Sequence, residues 1–102
     1  MDSHGVPTKI ATTVRIGGIE FDRVVYDREA DVLYLHVGEP RTAVDFDATP
    51  EGHHTRYGSD GSLVGITIVN ARWLLDQDGE IALTLPKQKV VAKDIGPVLA
   101  AA

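Results

Sequence analysis

The sequence predicts an α+β domain: mainly an antiparallel β-sheet built from consecutive hairpins, with one short C-terminal helix. Three observations lead to this prediction. Short runs of alternating apolar and polar residues, rich in Val, Ile and Thr, recur along the chain, as strands prefer. Gly-Gly and Asp-Gly pairs separate several of these runs and are typical of hairpin turns. Near the C-terminus, Ile95, Val98 and Leu99 have the spacing of an apolar helical stripe.

The length and charge of the chain limit its organisation and its partners. Its 102 residues make one domain, which we place at residues 10–102, behind a flexible N-terminal tail at residues 1–9. A domain of this size buries only roughly 60–68% of its unfolded surface, which favours a homo-oligomer or a contact with a small partner protein. The net charge of −5 argues against a nucleic-acid surface, because such a surface needs clustered Lys and Arg.

The composition also excludes several kinds of site. The chain has no cysteine, so disulfides, thiolate zinc sites and cysteine nucleophiles are excluded. No apolar run approaches the roughly 20 residues of a membrane span, and residues 1–9 lack the apolar core of a signal peptide. We therefore expect a cytoplasmic protein with no membrane contact, no cofactor and no metal.

The first predicted hairpin spans residues 11–26. Residues 11–16 are rich in Thr and Val, and residues 19–26 resume the strand pattern. Gly17 and Gly18 separate the two runs, and both can take the positive φ angles that a two-residue turn needs. We therefore assign these two glycines a structural role in the turn.

The second corner is a short polar turn at residues 27–30, between two apolar stretches. Asp27 can accept hydrogen bonds from backbone N–H groups two or three residues further on, which holds such a turn. The strand that follows, residues 32–37, has bulky side chains on both faces: Leu33, Leu35 and Val37 on one, and Val32, Tyr34 and His36 on the other. Such a strand is either covered on both sides or lies at a contact between subunits.

The residue pattern in the middle of the chain predicts a further hairpin. Its elements are a weak strand at residues 42–46, a loop at 48–52, and strands at 53–57 and 63–69. Asp60 and Gly61 form the turn between the last two strands. The core face of the last strand is apolar: Val64, Ile66 and Ile68. The missing side chain at Gly65 indicates a bulge or close packing on the opposite face.

The C-terminal third is less regular. Residues 71–75 fit either a strand or a helical turn, and residues 76–79 are predicted to be a turn. Residues 81–85 alternate clearly and form a strand that ends at Pro86. The short helix lies towards the end of residues 90–100, where Pro97 is acceptable only in its first turn.

The second corner resembles a family motif. The matching run is Tyr26-Asp27-Arg28-Glu29-Ala30-Asp31-Val32-Leu33-Tyr34-Leu35. The run is similar to that of small prokaryotic proteins called domain of unknown function 2283, and the resemblance covers about residues 22–70. It implies a compact, mainly antiparallel β fold with no established activity. Some relatives resemble the antitoxin half of toxin–antitoxin pairs, which implies partner binding.

The chain also departs from this family pattern. Arg56 and Gly58 stand where the family often has aspartates, and Thr67 stands where it prefers glutamate. A shared acidic site formed by those residues would therefore be missing here.

The acidic residues and the paired histidines are interpreted as structural. Asp27, Glu29 and Asp31 form a corner in which Asp27 holds the turn, rather than a carboxylate site. His53 and His54 are adjacent on a strand, so they point to opposite faces and do not readily grip one ion. We therefore expect packing or solvent-facing roles for both histidines.

Tyr34, His36 and Trp73 are the better candidates for an interaction or ligand face, since aromatic residues are enriched at buried contact centres. The competing interpretation of Trp73 is that it closes one end of the core. The leading hypothesis is a non-enzymatic domain, without catalytic residues, that acts by protein–protein contact with itself or with a partner. The alternative is a small-molecule-binding or enzymatic domain that uses Tyr34, His36 and one of Asp27 or Asp31 for acid–base chemistry.

Overall fold

The largest element of the fold is a six-stranded antiparallel sheet. The computed structural model describes residues 8–10, 13–38, 42–93 and 95–100. In chain order the elements are β1 (Thr8–Ile10), β2 (Val14–Ile16), β3 (Ile19–Phe21), β4 (Arg23–Asp27), β5 (Val32–His36), β6 (Asp45–Ala48), β7 (His54–Tyr57), β8 (Leu63–Val69), α1 (Ala71–Asp78), β9 (Ile81–Thr84), β10 (Lys89–Ala92) and α2 (Gly96–Ala100). The large sheet has the order β1-β4-β5-β8-β7-β6, while β2–β3 and β9–β10 form separate hairpins. The predicted fold class is confirmed.

The first hairpin turns at the two predicted glycines. The φ angles of Gly17 and Gly18 are +58° and +84°, as a two-residue hairpin turn requires. The predicted strand at residues 19–26 is divided, however, because the chain leaves the hairpin after β3 and joins the large sheet as β4. Asp22 lies at this break, and its Oδ1 accepts a hydrogen bond from Gly38 N at 2.9 Å.

The large sheet begins within the predicted tail. Residues 1–7 lie outside the described residues, but Thr8 and Lys9 belong to β1. β1 pairs antiparallel with β4, and Lys9 lies opposite Val25. Pairing with a strand much later in the chain supplies the backbone hydrogen bonds of this segment, and the polar character of the tail gives no sign of it.

One face of the large sheet packs into the core. Its buried side chains come from the three central strands: Val24, Tyr26, Leu33, Leu35, Val64, Ile66 and Ile68. The predicted core face of β8 is thereby confirmed. The two small hairpins and both helices cover this face with buried side chains of their own, including Phe21, Leu83 and Leu99. Burial of a large apolar side chain is worth about 1.5–3 kcal/mol, so this covering layer stabilises the sheet.

The turn between β7 and β8 forms as predicted. Asp60 Oδ1 accepts hydrogen bonds from Ser62 N at 3.0 Å and Ser62 Oγ at 2.7 Å. Gly61 follows with a φ angle of +81°. The weak strand before this hairpin is displaced: β6 comprises Asp45–Ala48 instead of residues 42–46. Its register is decided by pairing with β7, in which Asp45 lies opposite Tyr57.

Residues 71–78 form a helix, which resolves the ambiguity in the sequence. The predicted turn at residues 76–79 is wrong, because Asp76–Asp78 continue α1 and only Gly79 leaves it. Gly79 has a φ angle of +74° and donates its N–H to Leu75 O at 2.8 Å, which is a common way to end a helix.

The C-terminal helix is α2, with Pro97 in its first turn as predicted. β9 begins at Ile81, as predicted, and pairs with β10. The sequence of β10 does not by itself indicate a strand. Contact with a neighbouring strand, which is not encoded in local periodicity, makes Lys89–Ala92 extended.

Candidate functional site

The outer face of the large sheet, opposite the core, carries two of the predicted site residues. Tyr34 and His36 alternate along β5 with the buried Leu33 and Leu35, and each is half-buried. Valines from three strands share this face: Val25, Val32 and Val69. Within the described ranges, the buried apolar side chains of the small hairpins and helices all belong to the core on the other side. These elements therefore leave the outer face uncovered.

The edge of the outer face at β6 is apolar and open. Phe46 lies opposite Arg56 in the β6–β7 register, which places both on the outer face. The Phe46 side chain is 71% exposed, and Val44, which precedes the strand, is 53% exposed. Exposed apolar side chains beside an uncovered sheet face are typical of a contact surface.

A row of basic residues crosses the outer face at one end of its central strands. Arg23 lies opposite His36, His36 opposite Gly65, and Gly65 opposite Arg56. We call these four residues the arginine row. Because Gly65 has no side chain, the Arg56 guanidinium lies over it, with Nη2 3.4 Å from His36 Nδ1. A Cβ atom at Gly65 would lie 2.7 Å from Nη2, so glycine is required for this arrangement.

His36 is kept neutral by its surroundings. Burial lowers the pKa of His36 below its ordinary value, and the charges of Arg56 and Arg23 lower it further. An arginine side chain can only donate hydrogen bonds, so His36 Nδ1 is the acceptor of the contact from Arg56. The proton of the neutral ring is thereby assigned to Nε2.

Asp27 lies at the end of β4, at the corner before β5. Its Oδ1 accepts hydrogen bonds from Glu29 N and Ala30 N, both at 3.1 Å. These are the amides two and three residues further on, as the turn interpretation requires. Asp27 therefore accepts two backbone hydrogen bonds at the corner between β4 and β5.

Asp31 has a role that sequence reasoning missed. Its carbonyl oxygen accepts a hydrogen bond from Ala71 N at 3.1 Å. Its carboxylate accepts Arg72 N at 2.7 Å through Oδ1 and Trp73 N at 3.1 Å through Oδ2. Three amides at the start of α1 are therefore satisfied by one residue about 40 positions earlier.

The residue before α1, Asn70, explains why the helix needs the cap from Asp31. Asn70 is at the N-cap position but has a φ angle of +59° and makes no side-chain cap. Asp31 also has a positive φ, +57°, which Asp tolerates better than most residues. No sequence motif connects the two positions, and the only local signal is the absence of a capping box before α1.

Tyr26 completes this arrangement on the core side. Its hydroxyl donates to Asp31 Oδ1 at 2.7 Å. Burial, followed by this hydrogen bond, raises the pKa of Tyr26 to about 12, so the hydroxyl remains a donor at neutral pH. Both oxygens of Asp31 are thus bound on the core side, while Tyr34 and His36 lie on the outer face. The structure does not join Asp31 to those two residues.

Trp73 does not close the core. Its side chain is 57% exposed on the first turn of α1, so that interpretation is wrong. The buried residue of this helix is Ala71. Because α1 is anchored through its backbone amides and Ala71, the indole two residues later is left facing solvent. Trp73 lies on a helix and not on a strand of the large sheet, so its role as an interaction residue stays a prediction.

His53 is a buried histidine at the end of the loop between β6 and β7. It is 1% exposed, and its Nδ1 accepts a hydrogen bond from Val69 N at 3.1 Å. Its Nε2 is buried and has no partner among the described residues. His54 is exposed, so the two histidines do not share an ion. Burial lowers the pKa of His53, although the nearby Glu51 charge acts in the opposite direction.

The lowered pKa values of His53 and His36 predict loss of stability on mild acidification. The folded state binds fewer protons than the unfolded state, so their contribution is present above pH 6.5 and is lost as the pH falls below it. At pH 5.5 the loss from the buried His53 is at most about 1.4 kcal/mol. Urea unfolding at pH 7.5 and 5.5 measures it, and His53→Gln should reduce the decline.

The exposed His54 provides the matched control, because His54→Gln should keep the wild-type decline. An equal decline in His53→Gln and the wild type would contradict the prediction. Glu51 does not interfere, since hydrogen bonds from Thr84 lower its pKa to about 2, far below this range.

Two cavities lie away from Tyr34 and His36. One of about 290 Å³ lies between the turns of the β7–β8 and β9–β10 hairpins and is lined in part by Tyr57 and Leu63. Another of about 480 Å³ lies between β2, β10 and α2. Among the described residues, no group of three His, Cys, Asp or Glu residues is arranged to hold a metal ion. Neither described helix is long and apolar enough to cross a membrane.

Comparison with known proteins gives one match. Residues 23–72, about half of the chain, match the model of a family described as Protein of unknown function (DUF2283). The matched segment begins at β4 and ends at the first turn of α1, so it includes Asp31 and its helix cap. No curated protein and no solved structure matches the chain.

Proposed function

We propose that this chain, whose residues 23–72 belong to the DUF2283 family, acts by protein–protein contact and that its outer face binds a second copy of the chain. The observation that supports the proposal is the difference between the two faces of β5. This strand is bulky on both faces, but within the described ranges only the face of Leu33 and Leu35 is covered. Of the two explanations for such a strand, a contact between subunits is the one that accounts for the valines and Tyr34 on the uncovered face.

The charges of the outer face support a two-fold pairing. The arginine row lies at one end of the central strands, and Asp27 lies on the same face at the other end. A two-fold axis across the strands reverses their direction, so it sets the arginine row of each copy over the Asp27 end of the other. Val25 and Tyr34, which lie midway between the two ends, then meet at the axis. This arrangement pairs unlike charges at both ends.

The size of the face indicates a weak dimer. Six strands about 4.8 Å apart, with central strands of five residues, give a projected area of roughly 400 Å². A standard contact buries about 800 Å² on each partner. We therefore expect a dimer that dissociates on dilution, not an obligate one.

Sedimentation equilibrium over a concentration series tests the proposal. We expect a reversible monomer–dimer equilibrium in the wild type. Tyr34→Glu should make the chain monomeric, because two carboxylates would meet near the axis without partners. Phe46→Ser should weaken the dimer without disturbing the fold, because this side chain is 71% exposed.

Trp73→Glu is the control, since it introduces the same charge at an aromatic residue that is exposed and lies on α1, away from the strands of the large sheet. It should leave the dimer unchanged. A wild type that stays monomeric at every concentration would overturn self-association, and the small partner protein that the resemblance implies would then be the occupant to seek. Loss of the dimer in Trp73→Glu but not in Tyr34→Glu would place the contact on α1 instead.

A further inference from the structure

We propose that the arginine row is a binding site for a small oxyanion, a carboxylate or a phosphate, held between the guanidinium groups of Arg23 and Arg56. The proposal concerns the single chain and goes beyond the proposed self-association. It starts from the charge of the row: Arg23 on the adjacent strand β4 and Arg56 on β7, beyond β8, lie on either side of His36, in a chain whose net charge is −5. Like charges this close on one sheet face repel each other.

No acid among the described residues neutralises the charges of Arg23 and Arg56. In the part of the chain that the structure describes, neither Arg23 nor Arg56 has a carboxylate within ion-pair distance. Arg15, by contrast, is paired with Glu20 at 2.9 Å. Within the described ranges, Arg23 and Arg56 therefore differ from Arg15 in having no counter-charge.

Some hydrogen-bond donors of the arginine row also lack an acceptor among the described residues. The Nε atoms of Arg23 and Arg56 are buried and, among the described residues, have no hydrogen-bond partner. Arginine binds carboxylate or phosphate side-on through Nε–H and Nη–H together, which would use these donors once the guanidinium turns towards the ligand. His36 adds a third donor, because its neutral ring carries the proton on Nε2.

Gly65 provides the space for this site. The absent side chain lets the Arg56 guanidinium lie across β8 and approach His36, which brings the charges of β7 and β4 towards each other. Any other residue at this position would separate them. An arrangement that concentrates unpaired positive charge is unfavourable alone and becomes favourable when an anion is bound.

Nuclear magnetic resonance of the arginine side chains tests the site directly. The Nε–H signals of Arg23 and Arg56 are followed while sodium acetate or inorganic phosphate is added at constant ionic strength. We expect saturable shifts of both signals and little change at Arg15, which already has a partner. The probe that saturates at the lower concentration identifies the oxyanion as carboxylate or phosphate.

Two variants complete the test. Arg56→Gln should weaken binding by about tenfold or more, and Arg23→Lys should weaken it less, because lysine retains the charge but not the side-on geometry. The absence of saturation with either probe, a parallel shift of Arg15, or unchanged affinity in Arg56→Gln would overturn the proposal. The titration is done at concentrations at which the chain is monomeric, so its failure is separate from a failure of self-association.

Discussion

Replacing Asp31 with Asn is expected to lower the free energy of unfolding by about 2 kcal/mol, which is a large effect for a residue at a surface corner. The carboxylate accepts Arg72 N, Trp73 N and the Tyr26 hydroxyl through its two oxygens. An asparagine amide offers only one acceptor oxygen, so at least one of these donors loses its partner. Asparagine also tolerates the positive φ of this position, so the change isolates the cap from backbone strain.

Urea unfolding measures this effect, and amide hydrogen exchange locates it. Arg72 and Trp73 should lose protection in Asp31→Asn, while the amides of β8 should lose protection only to the extent that global stability falls. Asp76→Asn removes the same charge from an exposed position of α1 and should be close to neutral. Wild-type protection of Arg72 and Trp73 in the Asp31 variant would show that the remote cap does not hold the helix.

Gly65→Ala is expected to destabilise the protein by about 2 kcal/mol, although alanine is normally better than glycine inside a strand. The added Cβ would lie 2.7 Å from Arg56 Nη2 and 2.7 Å from the carbonyl oxygen of Leu35. The arginine side chain can move away, but the Leu35 carbonyl belongs to the central strand β5 and cannot move without disturbing its pairing. The backbone contact therefore determines the sign of the effect.

Gly96→Ala is the matched control for this change. Gly96 has no atom within 4 Å of an added Cβ and begins a helix, so alanine there should be neutral or stabilising by up to about 1 kcal/mol. The double variant Arg56→Ala, Gly65→Ala should recover only part of the loss, because the Leu35 contact remains. Equal stability of Gly65→Ala and Gly96→Ala would contradict the close packing.

The parts of the fold that could be predicted are those with local causes. The turns at Gly17, Gly18 and Gly61 follow from a residue type that tolerates positive φ. Asp60 and Asp27 accept hydrogen bonds from residues only two or three positions away. The alternation of β5 and β8 likewise identifies the core face without reference to any other element. All of these properties lie within a few residues of sequence.

The parts that could not be predicted depend on partners that are distant in the chain. Residues 71–75 fit either a strand or a helical turn by their sequence, and the acceptor that holds the start of α1 is on the distant Asp31. The sheet edge at Thr8 and the start of β6 are set by neighbouring strands. Trp73 is exposed because α1 is anchored through its backbone amides and Ala71. The residue type alone could not predict this, because it is equally compatible with burial.

The same division applies to the candidate site. Tyr34 and His36 could be identified as residues of a second face because alternation along β5 depends only on the period of a strand. The arginine row could not, because Arg23, His36, Gly65 and Arg56 are brought together by the register of four strands. Gly65 was recognisable as unusual, but the side chain that occupies its space comes from β7.

The sequence by itself determined the antiparallel hairpin plan, the core face of the central strands, the turn at Asp27 and the resemblance to a family without a known activity. Only the tertiary structure decided that Asp31 holds α1. It also decided that, within the described ranges, one side of β5 lacks a cover and the arginines beside His36 have no carboxylate partner. The physical reason is the separation along the chain between the residues that interact. Turns and strand periodicity are satisfied by near neighbours, whereas covering layers, remote caps and charge clusters require strands from different parts of the chain to meet.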